Sequence, residues 1–159
     1  MQIMQAFDQT EYAKILDEVV VTCVDVLVFD EQGNVLLGRR TRLPLLSWWL
    51  FGGRMKARET IEQATRRAIT RELGVENYEY KGVIGHYLLD WPMRFEPPQE
   101  NGFTHLLLAT KIVLERSSLP MNIHVEAHDY IKWFSPDELN NLECDKHLKL
   151  VLKDSVLLV

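Results

Sequence analysis

The chain reads as one α/β or α+β domain built on a mixed sheet with helices on both sides. Three observations predict it. Val20 to Asp30 is a β-branched run that continues through Glu31-Gln32-Gly33-Asn34 into Val35–Arg40, a strand, a tight turn and a returning strand. Thr60 to Gly74 has the pattern of a capped amphipathic helix. Further strand-like runs at Tyr78–Asp90, Thr104–Glu115 and Tyr130–Phe134 then precede two more helical segments.

In order, Asp8 to Val19 reads as a short amphipathic helix, and the Val20 run as a buried strand. A loop bearing Pro44 leads to a short strand through Trp48-Trp49-Leu50-Phe51 and into Gly52-Gly53. Thr60 is the expected N-cap of the central helix, with Gln63 reaching back in a capping box. Gly74 stands where a left-handed residue ends a helix. Residues 91–98 form a loop with aromatic and basic content, long enough to be functional or mobile. Ser135-Pro136-Asp137-Glu138 opens a helix with an N-cap serine and a proline at its first position, and Lys146–Val159 carries a Leu/Val stripe.

Composition narrows the function. With 159 residues, 47% apolar and 26% charged, the chain has the size and balance of a single globular domain, 1–159. A net charge of −5 argues against a general nucleic-acid binder, though it leaves room for a small phosphorylated substrate held by local arginines. Cys23 and Cys144 are too few for a disulfide framework and read as reduced thiols. With no apolar run of membrane-spanning length and no signal core, the expected setting is cytoplasmic.

The faces of the central helix carry an oddity. At about 100° per residue, Ile61, Ala64, Thr65, Ala68 and Ile69 form one apolar stripe, and Glu72 falls inside it. An unpaired carboxylate there is costly or stays protonated. A bound metal ion or a nearby arginine would remove that penalty.

Gly53, Glu59, Arg67, Glu72, Gly74 and Val75 fall at positions that resemble the Nudix box. The resemblance implies a Nudix-type α/β/α sandwich with a mixed β-sheet. The departures are informative: Ala68 and Arg71 stand where the box has acids, leaving Glu72 alone of that cluster. Ordinary Nudix diphosphatases use the full cluster to hold several divalent ions. Similar losses mark the GDP-mannose mannosyl hydrolase branch, to which the likeness extends over Leu37–Thr41, Trp49–Gly53, Gly85-His86-Tyr87, Thr104-His105 and Glu126–Trp133.

That resemblance implies a hydrolase of a nucleoside-diphosphate sugar, dependent on Mg²⁺ or Mn²⁺, in which water attacks the anomeric carbon. Carried over by position, the metal takes the carbonyl of Gly52 and the carboxylate of Glu72. The family's third ligand is a Gln, replaced here by Ala127, so Glu126 or water fills its place. Arg40 and Arg54 neutralise the diphosphate leaving group, His128 is the general base, and Asp25 and His86 line the sugar side. The partner is a small nucleotide-sugar, and a homodimer would match the habit of such relatives. The chemistry agrees: C–O cleavage needs a base of near-neutral pKa and charge neutralisation on the departing diphosphate.

Plainer readings stand beside these. Glu72 pairs with Arg71, Arg67 or Arg54 and binds nothing. Glu59 and Arg67 form a structural ion pair. His124 is the alternative base, and His105 is a packed strand residue. Arg39 and Arg40 point to opposite faces of a strand, so one at most reaches a site. The Trp48-Trp49 pair is core and rim. The rival functions are a Nudix diphosphatase cutting a P–O bond and a non-catalytic nucleotide-sugar-binding module.

Overall fold

A computed structural model describes residues 7–121, 123 and 127–156. Eleven main elements follow in chain order: α1 Gln9–Glu18, β1 Val21–Phe29, β2 Val35–Arg40, β3 Trp48–Trp49, β4 Phe51–Arg54, α2 Ile61–Leu73, β5 Glu79–Trp91, β6 Phe103–Val113, β7 His128–Phe134, α3 Pro136–Asn140 and α4 Lys146–Val156. The expected α/β architecture with a mixed sheet is present. One sheet runs β3-β2-β1-β6-β5, with β4 added to β1 and β7 to β2. The β1–β6 pair is parallel and the other pairs are antiparallel.

Strand β1 is buried on both faces, and its period-2 alternation feeds two separate cores. Val24, Val26 and Val28 pack with Ala64, Ile69 and Leu73 of α2. Leu27 and Phe29 pack with Leu148, Val151 and Leu152 of α4. The sheet is thus the middle layer of an α/β/α sandwich. The β1–β2 turn is held by Asp30, whose carboxylate accepts from the backbone N–H of Gln32 and Asn34 and from Arg116.

Helix α2 has the expected punctuation. Thr60 and Gln63 cap each other, and Gly74 ends the helix at φ 67°. Glu59 accepts two hydrogen bonds from the Arg67 guanidinium, which also donates to the Arg54 carbonyl, bracing the preceding loop on the helix.

Two features place the site. One edge of β1 pairs with β6 along its whole length, while the other passes from β4 (at Cys23–Val26) to β2 (at Val28–Phe29). The opening between β2 and β4 exposes the Asp25 region to a cavity. The second feature is a bulge between β2 and β7, where Arg39 faces Tyr130 but Arg40 faces His128. Asp129 is the extra residue; it leaves the ladder and pairs with Arg39 at 2.9 Å on the outside. The bulge therefore sets His128 beside Arg40.

Candidate active site

The cavity at this opening has a volume of about 150 Å³, and its walls include Asp25, Arg40, Gly52, Glu72, His105 and His128. Arg40, Pro44 and Phe103 also line an adjoining groove. That groove shares Tyr12, Phe95 and Glu96 with a third depression beside Arg54. The three form one trough, longer than the cavity alone.

Asp25 is buried and accepts a 2.8 Å hydrogen bond from Trp49 Nε1. Burial pushes its carboxyl up to about 6, against the opposing pull of Trp49 and Arg40. Glu72, on the last turn of α2, is pushed up to about 7, chiefly by burial. Arg71 pulls it down and Asp25 adds to the rise. Its two oxygens are both engaged: Oε2 accepts from Gly52 N–H at 3.1 Å, and Oε1 lies 3.3 Å from Arg71 Nη2.

His128 lies flat against Gly38, where a Cβ would come within 2.4 Å of its Cδ2, and its ring is tilted 5.3 Å from Phe51. Burial and the Arg40 charge hold it down to about 4, so the imidazole is neutral at pH 7. Neither ring nitrogen has a hydrogen-bond partner among the described residues, and the same is true of Arg40 Nε and His105 Nε2. Buried polar atoms are nearly always paired. Arg40, His105 and His128, which carry these unpaired atoms, line one cavity.

Of the residues expected at the site, Asp25, Arg40, Gly52, Glu72 and His128 come together. Arg54 and His86 do not. The Arg54 guanidinium is drawn onto the rings of Tyr12 (4.7 Å) and Phe7 (5.6 Å), in the third depression of the trough. His86 is an exposed residue of β5, opposite Leu108, with β6 between it and β1. Glu126, the expected substitute ligand, and His124, the alternative base, lie outside the described residues.

Sequence reasoning missed three contributors. His105, read as a packed strand residue, is buried as expected but also faces the cavity; its Nδ1 accepts from Trp91 Nε1 at 3.2 Å. Burial, His147 and Arg40 hold it down to about 4. Trp49 orients Asp25. Cys23 also lines the cavity, but burial pushes its thiol up to about 12, which rules it out as a thiolate nucleophile at neutral pH.

A divalent ion fits this arrangement poorly. The oxygens that resemblance assigns to it already accept from Arg71, whose Nη2 donates to the Gly52 carbonyl at 2.8 Å as well as approaching Glu72. Ala127 offers no side-chain ligand, and among the described residues no group of three or more His, Cys, Asp or Glu is arranged for a metal.

A mixed sheet between helices, with a cavity flanked by Gly52-Gly53 of β4 and the last turn of α2, defines a small α/β/α sandwich. Residues 20–154 match the NUDIX domain, and the chain belongs to the NUDIX family. Members of this family are hydrolases of small nucleotide derivatives and generally use divalent ions such as Mg²⁺.

Solved structures agree on the fold. The NUDIX domain of NrtR from Shewanella oneidensis, complexed with ADP ribose, superposes with a TM-score of 0.67 at 16% identity, covering 94% of this chain and 97% of that one. The MutT protein of Methanosarcina mazei gives 0.65 at 14% identity, with coverage of 86% and 94%. Dihydroneopterin triphosphate pyrophosphohydrolase of E. coli gives 0.63 at 14% identity, with coverage of 88% and 99%. No helix among the described residues is long and apolar enough to cross a membrane.

Proposed function

We propose that the chain hydrolyses a nucleoside-diphosphate sugar, GDP-mannose or a close relative such as GDP-fucose, at the glycosyl C–O bond. The observation that carries this reading is the meeting at one cavity of the Arg40 guanidinium with a neutral His128 that has no hydrogen-bond partner among the described residues. The trough beyond Arg40 has aromatic walls at Tyr12, Phe95 and Phe103 on which a base could stack, with charges of both signs beside them at Arg42, Arg54 and Glu96. A structural neighbour's complex with ADP ribose, itself a nucleoside diphosphate joined to a sugar, is consistent with that ligand class.

In this reading the oxygen of a water molecule bonds to the anomeric carbon while the glycosyl C–O bond breaks. The electron pair of that bond passes to the diphosphate oxygen, and the proton of the water passes to His128. Arg40 stabilises the charge that develops on the leaving diphosphate. Arg40 is also one reason the His128 ring is a weak base in the free protein. A bound diphosphate offsets that charge and restores basicity to the imidazole when it is needed. Asp25, held by Trp49, borders the same space.

A second reading, a nucleotide-sugar-binding module without turnover, is favoured by the contacts of Arg71 with Gly52 O and Glu72. One experiment separates these, and separates both from P–O cleavage. GDP-mannose is incubated in ¹⁸O-water, with and without Mg²⁺ or Mn²⁺. Label in the free sugar supports the proposal. Label in a nucleotide phosphate points to a diphosphatase, and a rise in melting temperature without product points to the binding module.

A further inference from the structure

The position that a metal would take is filled by the protein's own cation. Nη2 of Arg71 lies 2.8 Å from the Gly52 carbonyl oxygen and 3.3 Å from Glu72 Oε1. These are a carbonyl and a carboxyl oxygen converging on one point from different elements, β4 and α2. Room for the guanidinium exists because Gly53 lacks a side chain: a Cβ there would stand 3.0 Å from Nη2 and 3.6 Å from Nη1. The other oxygen of Glu72 is held by Gly52 N–H at 3.1 Å, so the carboxylate is fixed facing the guanidinium. The Arg71 side chain is half exposed while Glu72 is largely buried, 50% against 14%. The rest of the Arg71 side chain therefore stays open to solvent beside Gly53 and Glu72, both of which line the cavity.

We propose that Arg71 is a resident cation that excludes a divalent ion from Gly52 O and Glu72, and that a phosphate group entering the cavity meets this guanidinium instead of a metal. A guanidinium has the properties this role needs. It is permanently charged, and its planar fork can hold two protein oxygens on one edge and phosphate oxygens on another. The ligand class rests on the proposed function, whereas the exclusion of metal rests on the Arg71 contacts alone.

The test uses no sugar nucleotide and measures no turnover, so it fails or succeeds independently of the proposed reaction. Mn²⁺ binding is followed by electron paramagnetic resonance for the wild type, Arg71→Ala and Arg71→Ala/Glu72→Gln. Expected are no detectable site in the wild type, one site in Arg71→Ala at least ten-fold tighter than the limit of detection for the wild type, and its loss in the double variant. Calorimetry with inorganic pyrophosphate in excess chelator forms the second arm. Binding by the wild type, weakened about ten-fold in Arg71→Ala and largely retained in Arg71→Lys, is expected. Equal Mn²⁺ binding by the wild type and Arg71→Ala, with or without a site, overturns the proposal. So does pyrophosphate binding in the wild type that is absent in chelator or indifferent to Arg71→Ala.

Discussion

His128 shows how much a single residue owes to its surroundings. An exposed histidine titrates at about 6.5, but this ring is buried against Gly38 and Phe51 beside Arg40, and is held down to about 4. Proton NMR of the imidazoles should place the midpoints of His128 and His105 near pH 4, and saturation with GDP should move His128 upward. A His128 midpoint near 6.5 in the free protein would show a hydrated ring and remove the basis for its role. Gly38 gives a sharper handle. Gly38→Ala forces the ring aside, because its Cβ would overlap Cδ2 at 2.4 Å. Loss of a positioned general base costs on the order of 10²–10⁴-fold in kcat. Gly38→Ala should approach the loss seen in His128→Ala with a cooperative fold retained, and an undiminished kcat in either variant takes His128 out of the mechanism.

At the scale of elements, the link between α1 and the loop before β6 rests on one buried arginine. Arg94 is fully buried; its Nη1 donates to Asp17 at 2.7 Å and to the Gly102 carbonyl at 3.0 Å. Asp17 also accepts from Asn101. Removing the carboxylate leaves a buried guanidinium short of its counter-charge. Breaking such a pair destabilises chiefly by leaving the buried charge uncompensated, an effect that water at the exposed Asp17 end reduces. Asp17→Ala should lower the urea midpoint accordingly, with α1 amides exchanging faster than those of β1. Helix α2 provides a smaller, independent check, since Thr60→Ala removes an N-cap worth about 1 kcal/mol. A Thr60 variant as stable as the parent would mean that packing of Ala64, Ile69 and Leu73 alone holds the first turn.

For the whole molecule, the buried titrating groups set opposing pH dependences. Asp25 and Glu72 have raised pKa values of about 6 and about 7. The native state therefore holds their protons longer than the unfolded chain, and their contribution to stability is full below the unfolded carboxyl range and lost as pH rises through 6 to 7. His105 and His128, lowered to about 4, contribute fully above 6.5 and lose that contribution as pH falls toward 4. Between about pH 4.5 and 6 the two effects oppose each other, and a nearly flat stability profile is expected. Glu72→Gln should expose a rise in stability with pH over that window, and His128→Asn a fall, each by up to about 1 kcal/mol per pH unit. Urea unfolding at several pH values reads both slopes. Identical slopes in the two variants would contradict the opposing assignments.

Local chemistry and periodicity were sufficient for α2, the β1–β2 hairpin and the two-sided burial of β1, because capping boxes, turn residues and alternation act over a few residues. The same is true of the braced Glu59–Arg67 pair and of Glu72 as an acid on a buried face. The sequence alone also offered both remedies for that acid, a metal or an arginine. The tertiary structure supplies the arginine, because the contact of α2 with β4 brings Arg71 and Glu72 to the Gly52 carbonyl. Tertiary packing likewise took Arg54 onto Tyr12, left His86 behind β6, and turned His105 toward the cavity. It placed His128 beside Arg40 through a bulge whose extra residue, Asp129, is held outside by Arg39. Contacts between residues distant in the chain depend on register and on which side chain reaches a shared space first, and no local pattern encodes either.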